Sequence, residues 1–234
     1  MSTFTKLNIS KTIWAKSGDP KFHPLLAHIL DVAAVAETIL LREPPQTKAW
    51  LAQQLYIPEQ SVAQFVAFIC GLHDFGKATP GFQAKWQQGA DQDRRVGLIF
   101  EPKAALKQDR HDLSSAYLLQ QALQSVIGDS DCCRSLAMLL GAHHGYFPKS
   151  NEIKQGKPSF EKAIWNEART DLLKMYCQIV MPEMVYQPKA PPECQDTLRP
   201  PLMRNECRIR GATEEIHDAQ RYYRFTLQRG YRPR

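Results

Sequence analysis

The sequence predicts an all-α fold, and three observations carry that prediction. Apolar residues recur at spacings of three and four in five separate segments, the period of a helix with one buried face. Proline or glycine closes several of those segments: Pro44-Pro45, Gly76, and Gly145 with Pro148. No segment alternates apolar and polar residues with period two, and no hairpin signal joins two such runs.

The first helix is read over residues 24–41, with Leu25, Ile29, Val32, Val35, Ala36 and Ile39 facing inward. His28 lies on or beside that stripe. Ile57-Pro58-Glu59 and Ser61 open a second helix whose face is Val62, Phe65, Val66, Ile69 and Leu72. It ends at His73-Asp74, where Gly76 is placed to supply a left-handed cap. Residues 87–109 are polar, hold Gly89, Gly97 and Pro102, and read as a long loop or a partly helical insert. Residues 111–127 put Leu118, Leu119, Ala122 and Val126 inward. Residues 133–144 do the same with Leu136, Leu139, Leu140 and His143. A last helix is expected from Ser159 to about Ile179, and residues 212–228 read as a polar, arginine-rich helix outside any core.

The chain has 234 residues, enough for one large domain or one domain with an appendage. A folded domain is expected over residues 10–187, followed by an Arg/Pro-rich tail over 188–234 that is a candidate for disorder and not part of the core. The arginine-to-lysine preference inverts at that boundary: nine Arg and one Lys after it, six Arg and fourteen Lys before it. The net charge of +6 suits a polyanionic partner, though charge alone does not name one. The longest apolar run, residues 62–72, is too short to span a bilayer, so no membrane partner is expected. The N-terminal segment lacks a signal-peptide core. Six cysteines include no CxxC pair, and a disulfide between adjacent Cys132 and Cys133 would be strained. A reducing, cytoplasmic location is expected.

The chemistry-bearing residues are histidines in an ordered series: His28, the dipeptide His73-Asp74, His111, and the doublet His143-His144. Imidazoles and a carboxylate are the donors of first-row transition metal sites. A lone histidine on an apolar helical face is commonly a hydrogen-bonded core residue. Four stations on or at the ends of helices are a different matter. A two-metal hydrolase needs cations about 3.5–4 Å apart, so a carboxylate usually bridges them. Asp74 is the natural bridge, with His28, His111, His143 and His144 available to complete two open shells. Lys77 is read as a point charge for the scissile phosphate. His23 and His217 lack such a context.

Two nearby motifs have competing readings. Residues 71–77 match the phosphate-loop pattern GxxxxGK, but Ala78 stands where Ser or Thr would hold magnesium, and the preceding segment is helical rather than a strand. In Gly81-Phe82-Gln83-Ala84-Lys85-Trp86, the rings of Phe82 and Trp86 are candidates for stacking the bases of a single strand, with Lys85 on a phosphate. The plainer reading is a helix that buries its aromatics.

These residues together resemble the HD nuclease domain of type I CRISPR interference, usually the N-terminal part of a helicase-nuclease. The matching pieces are Leu25-Leu26-Ala27-His28, residues 71–79 with Phe82-Gln83, Arg110-His111 with Ser114-Ser115, and residues 141–145. The His-Asp dipeptide alone would indicate only the wider HD superfamily. The resemblance implies an HD-superfamily helical bundle and a metal-dependent nuclease that degrades single-stranded DNA exposed by a guide-RNA surveillance complex. It implies two divalent ions (Mn, Co, Ni, Fe or Mg). His28, His73 and Asp74 would hold one; Asp74, His111, His143 and His144 the other.

Two departures accompany the resemblance. The family has a further metal-binding aspartate in an apolar stretch ending in Asp-Trp, which nothing after His144 reproduces: Asp171 comes too early and Asp196 is in a proline-rich segment. Helicase motifs are also absent, so a separate helicase is an expected partner. Both departures fall near the composition change, as a truncation or frameshift near residue 190 would produce. The rival functions are an HD phosphohydrolase acting on nucleotides, and an inactive remnant that binds metal, DNA or a partner protein.

Overall fold

The computed structural model describes residues 11–18, 21–107 and 109–181. Two short strands, β1 (Trp14–Lys16) and β2 (His23–Pro24), pair antiparallel. The long helices follow: α1 (Leu25–Arg42), α2 (Pro45–Leu55), α3 (Val62–Gly71), α4 (Gln87–Arg95), α5 (His111–Ala122), α6 (Ser130–Gly141) and α7 (Ala163–Val180). Single helical turns occur at Pro80–Gln83, Ala104–Lys107 and Ser150–Ile153, and a 3-10 segment, Leu72–Lys77, continues directly from α3. The all-α expectation holds, with the small β1–β2 ribbon as a correction. Strands of three and two residues are too short to show a period.

The core is a stack of α1 on α3 and of α5 on α6, closed by α7. Its largest fully buried side chains include Trp165, Tyr176, Phe68, Phe75 and Leu72. Tyr176 of α7 stacks on Phe68 of α3 at 5.5 Å, and its hydroxyl donates to the Phe68 carbonyl at 3.0 Å. Arg169 of α7 is buried and donates bidentately to Glu161 at 2.6 Å and to the Ala78 carbonyl at 3.0 Å. A buried guanidinium is tolerable because these bonds replace its lost water.

Several expectations are corrected. Ile39 and Leu139, placed inward by period, are more than half exposed, because α1 and α6 each carry a wider apolar stripe than the core covers. The buried face of α1 instead runs through Leu25, Ile29, Leu30, Ala33 and Ala34. Helix α2 was not expected; it starts with Pro45 at its first position and fully buries no residue, with Leu51, Ala52 and Leu55 only partly covered against the core. The last helix begins at Ala163 rather than Ser159. Residues 87–109 are partly helical, through α4 and the Ala104–Lys107 turn.

Gly76 is no left-handed cap, since it is absent from the positive-φ residues. It lies within the 3-10 segment, where a Cβ would collide with the backbone of His111 and Ser115. The glycine is there for close approach to α5. The phosphate-loop reading is excluded, because no strand feeds residues 71–77 and the chain there is helical. The four described cysteines, Cys70, Cys132, Cys133 and Cys177, form no disulfide with one another. Among the described residues no single helix is long and apolar enough to cross a membrane. The expected tail, the helix over residues 212–228, His217 and Asp196 all lie outside the described residues.

Candidate metal centre

Four elements deliver the predicted donors to one place. Helix α1 carries His28, the 3-10 segment carries His73 and Asp74, His111 is the first residue of α5, and His143-His144 follow the end of α6. The tight 3-10 winding matters because it turns His73 and Asp74, consecutive in sequence, toward the same cavity. That winding is pinned to α5: the Gly76 amide donates to Ser115 Oγ at 2.8 Å, and Ser115 Oγ donates to the His73 carbonyl at 2.7 Å.

Asp74 is buried and is the hub. Its Oδ2 lies 2.8 Å from His28 Nε2, 3.1 Å from His73 Nε2 and 2.7 Å from Lys77 Nζ. Its Oδ1 lies 3.3 Å from His111 Nε2 and 3.6 Å from His143 Nε2. The two oxygens therefore face two groups of imidazoles. Burial by itself would raise the Asp74 pKa, but hydrogen bonds from His111 and His28 outweigh it and hold the carboxyl far below the usual range. The carboxylate is ionised at any working pH.

The donor atoms form two clusters that share this region: His28, His73 and Asp74 in one, and His111, His143 and His144 in the other, each within 4.8 Å. In the second, His144 Nε2 is 3.0 Å and His143 Nε2 is 3.4 Å from His111 Nε2. Tautomers follow from the backbone. A carbonyl can only accept, so the 2.7 Å contact of His143 Nδ1 with the Leu140 carbonyl puts the proton on Nδ1. The same holds for His73 Nδ1 and the Cys70 carbonyl at 3.1 Å. Both rings then present Nε2 as a lone pair to the cavity. Lone pairs converging at such separations repel unless a proton or cation lies among them. Burial lowers the pKa of His28, against the pull of Asp74, and lowers that of His143, which disfavours the protonated alternative. The donor set fits transition cations, and His73 and His143 have behind the ring the kind of hydrogen-bond partner that imidazole ligands commonly carry.

The other sequence candidates sort differently. Lys77 is buried and spends two of its three N–H groups on Asp74 and on the Ala15 carbonyl at 3.1 Å. Lys85 Nζ donates to the Asp109 carbonyl at 2.9 Å and sits 4.8 Å from the Phe82 ring. Trp86 packs edge-on to the buried Trp14 and against Phe22, so its half-buried ring belongs to an aromatic packing cluster. Phe82 is buried against Trp14 and lies edge-on to His111 at 5.4 Å. His23 bonds Asp31 at 3.0 Å, with its ring 5.9 Å from His28, and enters neither cluster. Asp171, on α7, is in neither cluster as well.

Gln83 falls in the resembling Phe82-Gln83 piece, but the sequence assigned it no role. It is fully buried, accepts from the Trp14 amide, and donates to the carbonyls of Trp14 and Lys77. It thereby ties β1 to the end of the His-Asp segment. Its place in a short turn rich in small and aromatic residues gave no periodic signal.

A family profile described as "Cas3, HD domain" matches residues 14–204. The CRISPR-associated endonuclease/helicase Cas3 of Thermus thermophilus is 40% identical over 164 residues, which are 69% of this chain and 18% of that protein. This chain thus spans under a fifth of that relative's length. The crystal structure of the Thermus thermophilus Cas3 HD domain in the presence of Ni2+ superposes with a TM-score of 0.57 at 29% identity, covering 94% of this chain and 76% of that one. A chain of a structure described as a CRISPR RNA-guided surveillance complex, pre-nicking, matches with a TM-score of 0.53 at 26% identity, over 73% of this chain and 21% of that one. With most of its described length matched and its His-Asp clusters assembled, the chain belongs to the Cas3 HD domain family.

Proposed function

We propose that this domain is a metal-dependent nuclease that hydrolyses phosphodiesters in single-stranded DNA during CRISPR interference. The observation that carries the reading is the convergence of four imidazoles on the two oxygens of one buried, ionised carboxylate, with His144 joined to them through His111. His28, His73 and Asp74 would hold one divalent ion, and His111, His143 and His144 with Asp74 a second. Such ions supply Lewis-acid polarisation of a phosphoryl oxygen and a nucleophilic water near neutral pH. The imidazole-rich donor set favours manganese, iron, cobalt or nickel over magnesium, which prefers oxygen.

The chain's own residues do the rest. Asp74 keeps its charge and fixes the spacing of the two clusters. The Leu140 and Cys70 carbonyls hold His143 and His73 in the tautomer that offers Nε2. Lys77 balances the Asp74 charge and keeps one N–H for a phosphate oxygen of the substrate. The second cluster opens outward, with His144 exposed beside an exposed loop, which suits a polymer more than the small closed pocket a nucleotide phosphohydrolase needs. A guide-RNA surveillance complex and a separate helicase are the proposed partners.

The test is digestion of circular single-stranded DNA by the full chain with Mn2+, Co2+, Ni2+ or Mg2+, beside an Asp74→Ala control. Cleavage by the wild type and background in the variant is expected. No cleavage with any of the four ions would overturn the nuclease reading and favour an inactive metal-binding remnant.

A further inference from the structure

Immediately after the ligands His143 and His144, Gly145 takes a left-handed backbone (φ 83°) and sends the chain outward. The next two side chains are large, aromatic and solvent-facing: Tyr146 is 50% exposed and Phe147 is 65% exposed, while Pro148 is buried and anchors the loop. Rings this exposed contribute little to folding. Tyr146 is nevertheless held upright, since its hydroxyl donates to the Glu152 carboxylate at 3.0 Å, and Glu152 in turn accepts from the Lys149 amide at 2.7 Å. Arg110, directly before the ligand His111, pairs with Asp112 at 2.6 Å and lies within electrostatic reach of Glu152 and Tyr146. The metal centre is thus edged by two exposed rings with Arg110 and Lys149 near them.

We propose that Tyr146 and Phe147 form a base-stacking platform that seats the single strand beside its scissile phosphate, with Arg110 on a neighbouring phosphate. This rests on the nuclease reading above. Every base has a π-face, so stacking on such rings is tolerant of sequence, and a guanidinium beside them tracks the backbone. The loop is two to four residues from two metal ligands, so a strand stacked there has its backbone at the clusters. A small phosphodiester has no base to stack and gains nothing from it.

The test compares wild type with Phe147→Ala, Tyr146→Ala and the restoring Phe147→Trp. Affinity for a fluorescein-labelled oligothymidine is read by anisotropy in EDTA, where no metal contributes. Hydrolysis of bis(p-nitrophenyl) phosphate with Mn2+ and calorimetric Mn2+ binding are read in parallel. Each alanine variant is expected to weaken oligonucleotide binding about tenfold, the worth of one stacked base. Small-diester hydrolysis and Mn2+ affinity stay unchanged, and Phe147→Trp restores binding. Unchanged oligonucleotide affinity overturns the platform, as does a parallel loss of Mn2+ affinity. Small-diester hydrolysis by a wild type that does not bind the oligonucleotide also overturns it, yet leaves the metal centre standing. Failure of the wild type to cleave either DNA or the small diester would instead remove the nuclease reading.

Discussion

Asp74 is a residue whose role can be argued almost completely from its neighbours. A buried carboxylate contacting four imidazoles and an ammonium is held by charge, so removing it leaves those groups facing one another. Asp74→Asn is expected to abolish high-affinity binding at both clusters, read as loss of both Mn2+ events in calorimetry. Ser115 acts at one remove, through the His73 carbonyl and the Gly76 amide. Ser115→Ala is expected to lower Mn2+ affinity by about tenfold, in the range of supporting-residue losses at metal sites. The histidines and the aspartate that cluster here were legible from sequence as candidates because histidine chemistry is specific. Ser115 was quoted within a motif, but nothing in the sequence says which backbone atoms a hydroxyl will join. Asp93 was not legible at all. It is fully buried, and burial pushes its carboxyl up to about 7, only partly offset by Thr12 and the Arg94 charge. A folded pKa raised above the unfolded value means stability is full below the unfolded pKa of about 3.8 and is lost as pH rises through about 7. Asp93→Asn is therefore expected to leave stability near wild type at pH 4 and raise it by about 2–4 kcal/mol at pH 8, measured by urea denaturation.

At the scale of elements, the segment that matters most is the six-residue 3-10 helix between α3 and the Pro80–Gln83 turn. Its position rests on two contacts with no periodic signature: the close approach of Gly76 to α5, and the Gln83 bridge to β1. Gly76→Ala places a methyl against the His111 and Ser115 backbone, and is expected to destabilise the fold by about 3 kcal/mol or more, with Mn2+ affinity falling alongside. Helices α1, α3, α5, α6 and α7 were readable because each has a face to bury, even where the edge of that face was misjudged at Ile39 and Leu139. Helix α2 and the β1–β2 ribbon were not, since one has only a narrow, partly covered apolar face and the other is too short to repeat. Helix α4 is so polar that only its tertiary place, with Gly89 and Ala90 turned inward, marks it as more than a loop.

Across the whole molecule, fold and metal chemistry agree because the ordered histidines come from elements far apart in sequence yet packed side by side. On the proposed function, the surplus charge of +6 would help attract a polyanionic substrate. Binding of single-stranded DNA is expected to weaken steeply between about 50 and 200 mM salt. A flat salt dependence, measured by anisotropy, would argue against backbone recognition. The most direct measurement of the central claim is anomalous diffraction from crystals of the full chain grown with Mn2+. Two manganese peaks about 3.5–4 Å apart, both ligated by Asp74, are predicted, with His28 and His73 on one and His111, His143 and His144 on the other. A map with no manganese at these histidines, or with Asp74 ligating neither ion, would contradict it.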